Sequence, residues 1–183
     1  MTALPQARSV ALSPFPGKPH PAIHVHVETQ RLRGRLRLWF IVTGTIAGLK
    51  FPPLGEAARE DGLWHHSCAE AFVRSGTGMA YREVNLSPSG KWAAYDFSAY
   101  RKGGGNAAMR APMISTSGDT RNFAVGGDLH FDGAMAGADW HVGLSMVIET
   151  KDGAKSYWAL AHAADRPDFH RPESFTLMLP VTK

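Results

Sequence analysis

Apolar residues recur at every second position through much of this chain, and few windows carry a helical period long enough to matter. Leu36, Leu38, Phe40 and Val42, for example, fall on one side of a run whose other side carries Arg37, Trp39 and Ile41. Side chains two apart on an extended backbone point the same way, so this pattern predicts strands with one face turned to a core. The 19 glycines and 12 prolines cut the pattern into short pieces, because both residue types favour turns over continued strand or helix. Strands are expected over 22–28, 36–44, 64–73, 81–95 as two strands, 112–116, 122–131, 140–149, 156–162 and 174–179. Asp152-Gly153 marks a hairpin between two of them. About nine or ten short strands separated by turns predict an all-β fold, a two-sheet antiparallel β-sandwich of jelly-roll type.

The 183 residues are long enough to bury a core without staples, and a single domain over 1–183 is expected. Prolines at 5, 14, 16, 19 and 21 make residues 1–21 an extended lead. The stretch 49–62 is expected to be a connection, with one helical turn through 56–59, and Gly103-Gly104-Gly105 to be a flexible loop, a lid or a tether. The single cysteine, Cys68, rules out an internal disulfide framework. Residues 1–10 show neither a basic start nor an apolar stretch, and no run approaches a membrane span, so the expectation is a cytoplasmic protein with no membrane partner. The formal charge of +4 and pI near 9.4 would point to nucleic acid only if the basic residues were concentrated. The one dense stretch alternates Arg31, Arg33, Arg35 and Arg37 with apolar residues, the pattern of a strand with a solvated arginine face, and no nucleic-acid partner is expected.

Candidate functional residues gather between Trp64 and Tyr100. In extended backbone Trp64, His66, Cys68, Glu70 and Phe72 share one face, and Tyr81, Glu83, Asn85 and Ser87 share another. Aromatics and carboxylates dressing a concave sheet suit a polar ring, while a scatter of polar residues on a solvent face would look the same.

The runs Asp61–Phe72, Glu83–Tyr95, Tyr157–His162 and Pro167–Phe175 resemble bacterial DOMON-like proteins related to the family 9 carbohydrate-binding modules, over about a third of the chain. The resemblance implies a non-catalytic β-sandwich that binds sugars or, in other DOMON branches, haem. It implies that Trp64 is an aromatic platform, that Glu70 accepts hydrogen bonds from sugar hydroxyls, that Glu83 and Asn85 act from the neighbouring strand, and that His162 presents a polar group late in the chain. Where the family's sugar binders place a second tryptophan, this chain offers Phe169. The ligand expected is a small polar molecule, a carbohydrate, and no cofactor is required. Glu70 is expected to be solvated, so that its removal affects binding more than stability.

Other chemistry remains open at the level of residues. His66, Cys68 and Glu70 converge if extended and suggest a metal site, against the reading of Cys68 as a small apolar residue. A methionine among Met79, Met109, Met113 and Met146, with His130, His141 or His162, could hold haem noncovalently. Glu70 and Glu83 could bind calcium, or serve as the paired carboxylates of a weak glycoside hydrolase.

Overall fold

The computed structural model describes residues 7–182, and over these the chain is built on antiparallel strands. In order they are β1 (Arg8–Pro14), β2 (Ile23–Leu32), β3 (Arg35–Gly44), β4 (Leu49–Lys50), β5 (Cys68–Ser75), β6 (Tyr81–Leu86), β7 (Trp92–Ala99), β8 (Lys102–Asn106), β9 (Ser115–Gly118), β10 (Asn122–His130), β11 (Trp140–Thr150), β12 (Lys155–Ala159) and β13 (Leu177–Leu179). The one α-helix among the described residues, α1, is the four-residue turn Gly133–Ala136. Pairing runs β8-β7-β6-β5-β11-β12-β1-β2-β3-β10-β9, with β4 and β13 attached to β11.

β1 links the two halves of this order. Arg8 to Leu12 pair with β2, whereas Ser13 and Pro14 pair with Ala159 and Trp158 of β12. Residues of both halves, Val27, Leu38 and Phe40 with Ala71, Val84 and Leu144, belong to a single core. The alternation seen in the sequence produces this: β2 and β3 bury every second residue.

β5 breaks that rule, because its residues from Cys68 to Val73 are all buried. Ala69, Ala71 and Val73 face the core; on the opposite face Cys68 is enclosed by Leu63, Ala93 and Tyr95, and Phe72 is covered by the segment 160–176, an arm fastened by Phe175 against Phe72 and Tyr81. Phe175 stacks on Phe72 at 5.8 Å between ring centres. Gly143 on β11 makes room for it, since a Cβ there would meet Phe175 Cδ1 at 2.6 Å.

Four local expectations are revised. The triple glycine is strand β8, paired to β7 through a register shift at Phe97. Gly103 and Gly104 have φ of 109° and 84°, so glycine supplies the backbone freedom an irregular edge strand needs. No helical turn forms over 56–59: Trp92 N–H donates to Ala58 O and Glu60 N–H donates to Trp92 O, so the open edge beside β7 takes up the segment. The arginine-rich run is a hairpin turning at Arg33-Gly34, with Gly34 at φ 62°, and Arg31 is buried rather than solvated. Its guanidinium lies 3.7 Å over the Trp140 ring and donates to Leu179 O and Ala138 O, each at 2.6 Å. Finally, Trp64 precedes the strand, in a 3-10 turn over Leu63–His65. Of the expected lead, residues 1–6 lie outside the described residues, and 8–14 are strand β1.

Gly143→Ala should force the Phe175 ring to move and cost about 1–3 kcal/mol, read as a lower urea midpoint. An unchanged midpoint would show that the arm seats without this notch.

Candidate functional site

The face of β5, β6, β7, β11 and β12 turned away from the core holds a cleft of about 460 Å³. Register decides what reaches it. Glu70 lies opposite Asn85 on β6 and Ser145 on β11, while Glu83 lies opposite Phe72 and Tyr95. Around the two carboxylates the cleft is lined by Trp64, Tyr95 and Phe97, by Tyr157 and Lys155 of β12, and by Asp168, Phe169 and His170 of the arm.

Glu70 and Glu83 are only 4% and 6% exposed. This corrects the expectation of a solvated Glu70, because the arm and neighbouring side chains exclude water from most of it. Ser145 Oγ donates to Glu70 Oε2 at 3.3 Å, and Asn85 Nδ2 donates to Glu83 Oε1 at 3.0 Å. Burial, reinforced by the charge of Glu83, pushes the Glu70 carboxyl up to about 8. Burial also raises Glu83, against the opposing pull of Asn85 and Arg101.

Two hydrogen bonds and a longer contact link the β7–β8 turn, Tyr81 and the arm to Glu83. Arg101 N–H donates to the Tyr81 hydroxyl at 3.2 Å, the hydroxyl is 2.8 Å from His170 Nδ1, and His170 Nε2 is 3.6 Å from Glu83 Oε2. The Tyr81 oxygen keeps a second lone pair after accepting from Arg101, so the direction of its bond with His170 Nδ1 follows the tautomer of the ring. Burial, with the nearby Arg101 charge, lowers His170 to about 4, so at neutral pH its contact with Glu83 is between a neutral ring and a carboxyl.

Asp168 anchors the arm. It accepts from Tyr100 Oη at 2.6 Å and from Arg101 Nη2 at 2.9 Å. Burial alone would raise its carboxyl, but these donors hold it below the ordinary 3.8. Arg101 adopts a left-handed backbone, φ 51°, a conformation costly for a side-chain-bearing residue, and so delivers both its N–H and its guanidinium to this network.

Four of the residues expected at the site line the cleft: Trp64, Glu70, Glu83 and Phe169. Trp64 is 40% exposed and meets Tyr95 edge-on at 6.0 Å. Asn85 is fully enclosed and reaches the cleft only through Glu83, with its Oδ1 lacking a partner. His162 lies outside the cleft lining, where it hydrogen-bonds Ser13 O at 2.9 Å and packs edge-on against Phe15. Tyr95, Phe97, Arg101, Ser145, Tyr157, Asp168 and His170 were not singled out from the sequence. Tyr95 and Phe97 had a legible signal, as they continue the alternation of β7; the others come from distant segments.

The suspected metal set is dispersed. His66 turns to Glu149, with Nδ1 2.7 Å from Oε2, while Cys68 is enclosed with Leu63, Ala93 and Tyr95. Among the described residues no three His, Cys, Asp or Glu side chains gather to hold a metal ion. None of the methionines or histidines considered for haem lines the cleft. No helix among the described residues is long and apolar enough to cross a membrane.

Neither a protein-family model nor a curated protein matches the chain. Solved structures do match. A protein of Bacteroides uniformis, named for an inferred carbohydrate-binding role, is 14% identical with a TM-score of 0.67, covering 97% of this chain and 87% of its own. A family 9 carbohydrate-binding module from Caldicellulosiruptor kristjanssonii in complex with glucose is 9% identical with a TM-score of 0.54, covering 90% and 80%. The same kind of module in complex with cellotriose gives 10% and 0.50, covering 84% and 72%. At these identities the likeness is one of fold.

The two shifted groups make stability depend on pH in opposite directions. Glu70 at about 8 lies above its ordinary 4.5, so the unfolded chain loses that proton first; the stability it contributes is intact below about 4.5 and lost as pH rises toward 8. His170 at about 4 lies below 6.5, so its contribution is intact above 6.5 and lost as pH falls toward 4. Between 6.5 and 8 Glu70 acts without opposition from His170. Glu70→Gln should therefore flatten the decline of Tm with pH in that window, and an identical pH profile in the variant would refute the assignment.

Proposed function

We propose that this chain is a single-domain, non-catalytic binding protein that takes a carbohydrate in the cleft over Glu70 and Glu83. The observation that carries the reading is the combination of a buried polar floor with aromatic walls. An indole or phenol face packs on the apolar side of a pyranose, and fixed carboxyl groups read its hydroxyls. Trp64 is the exposed platform and Phe169 the aromatic partner contributed by the arm. Glu70 and Glu83 contact the ligand, and Asn85 orients Glu83 from behind. His162 has no contact role in this arrangement, and its bond to Ser13 instead steadies the start of the arm.

Likeness of fold supports the reading, since two of the matching structures are family 9 modules in complex with glucose and cellotriose. In the same reading the folded sheet is a two-sheet sandwich of jelly-roll type, and the chain is a DOMON-like relative of those modules.

A thermal-shift screen of mono- and disaccharides, followed by calorimetry on the hits, tests it. Trp64→Ala should weaken the best sugar about tenfold or more, equivalent to about 1.4 kcal/mol, with Tm almost unchanged because the indole is 40% exposed. Full affinity in that variant would remove Trp64 from the site.

A further inference from the structure

Among the described residues no cation is bonded to either glutamate, and the Arg101 charge acts on both only from a distance. Glu70 Oε2 accepts from Ser145 and Glu83 Oε1 from Asn85, both neutral donors. His170, 3.6 Å from Glu83 Oε2, is neutral as well. Arg101, which lines the same cleft, is bound to Asp168 at 2.9 Å. Lys155 lines the cleft and forms no ion pair with either glutamate. Glu70, 4% exposed, has a second carboxyl oxygen that accepts no hydrogen bond from the described residues. Two buried carboxyls, carried at diagonal positions of adjacent strands whose backbones are roughly 7–8 Å apart there, thus meet a cavity with acceptor capacity to spare.

The walls narrow what can fill it. A calcium ion takes about 6–8 oxygen ligands, and Trp64, Tyr95, Phe97, Tyr157 and Phe169 offer it few. Aromatic faces do attract organic cations. A sugar hydroxyl brings one donor and no charge, whereas an ammonium brings three donors and a charge that an ionised carboxylate can balance.

We propose that the cleft selects a polar ring bearing a protonated amine, an amino sugar, with the ammonium seated between Glu70 and Glu83. This deepens the carbohydrate reading and rests on it. In the empty cleft, burial and the neighbouring charge keep Glu70 protonated to about 8; an ammonium placed there stabilises the ionised form that burial disfavours.

The test is calorimetric titration of the intact protein with glucosamine, glucose and N-acetylglucosamine at about pH 6, where a sugar amine remains charged. Glucosamine should bind about tenfold or more tighter than either neutral sugar, and Glu70→Gln and Glu83→Gln should each bring that ratio toward one. Equal binding of glucosamine and glucose by the wild-type protein would overturn amine selection while leaving the carbohydrate reading intact, and this comparison needs no variant to fold. Binding of cyclohexylamine with no binding of any sugar would uphold the amine seat and overturn the carbohydrate reading. No binding of any of the four probes would overturn both.

Discussion

Ionising a carboxyl away from water is costly, and a second one nearby raises the cost further. The outer face of the central sheet is arranged around that constraint. Each glutamate keeps one neutral donor, from Ser145 or Asn85, which satisfies part of the group without discharging it. The positive charge on Arg101 is bonded to Asp168 and offsets the pair only in part. The strands β5, β6, β7, β11 and β12 fix the backbone from which both glutamates face the cleft.

The arm makes the constraint effective. It covers Phe72 and supplies Asp168, Phe169 and His170 to the wall of the cleft beside Glu70 and Glu83. Two unlike devices hold it. Phe175 wedges into the space left by Gly143 and stacks on Phe72, an apolar lock indifferent to pH. Asp168 collects donors from Tyr100 and Arg101 and ties the arm to the turn between β7 and β8. That turn, bent through Arg101 and followed by the glycines of β8, is where the arm, the sheet and the cleft rim meet.

Much of the outline was legible because strand alternation is a local property. The faces of β2, β3, β5 and β6 follow from the spacing of Leu38 and Phe40, or of Glu83 and Asn85, and so Glu70 and Glu83 were found. Alternation continued too far at Trp64: a 3-10 turn rather than strand brings the indole to the cleft. Asn85 has the expected direction yet is sealed behind Glu83, a depth that spacing cannot report. Arg31 misled for a related reason. Its spacing fits a solvated face, but Trp140 and the carbonyls that receive it lie more than a hundred residues away. The same holds for Asp168 and His170, whose partners on β6 and in the β7–β8 turn are set by tertiary packing alone. The triple glycine was misjudged from propensity, which speaks for the isolated chain and not for an edge that β7 leaves open.

The placement of β1 also bears on how the chain reaches this state. One short strand hydrogen-bonds to its immediate successor and, by its last two residues, to a strand formed nearly at the other end of the sequence. Contacts that distant close large loops before they return any favourable free energy, and topologies rich in them fold slowly. The β2–β3 hairpin closes a short loop, whereas the pairing of β1 with β12 spans most of the chain. Strands whose partners lie that far along the chain stay unpaired longest, and unpaired strand edges are where mispairing begins.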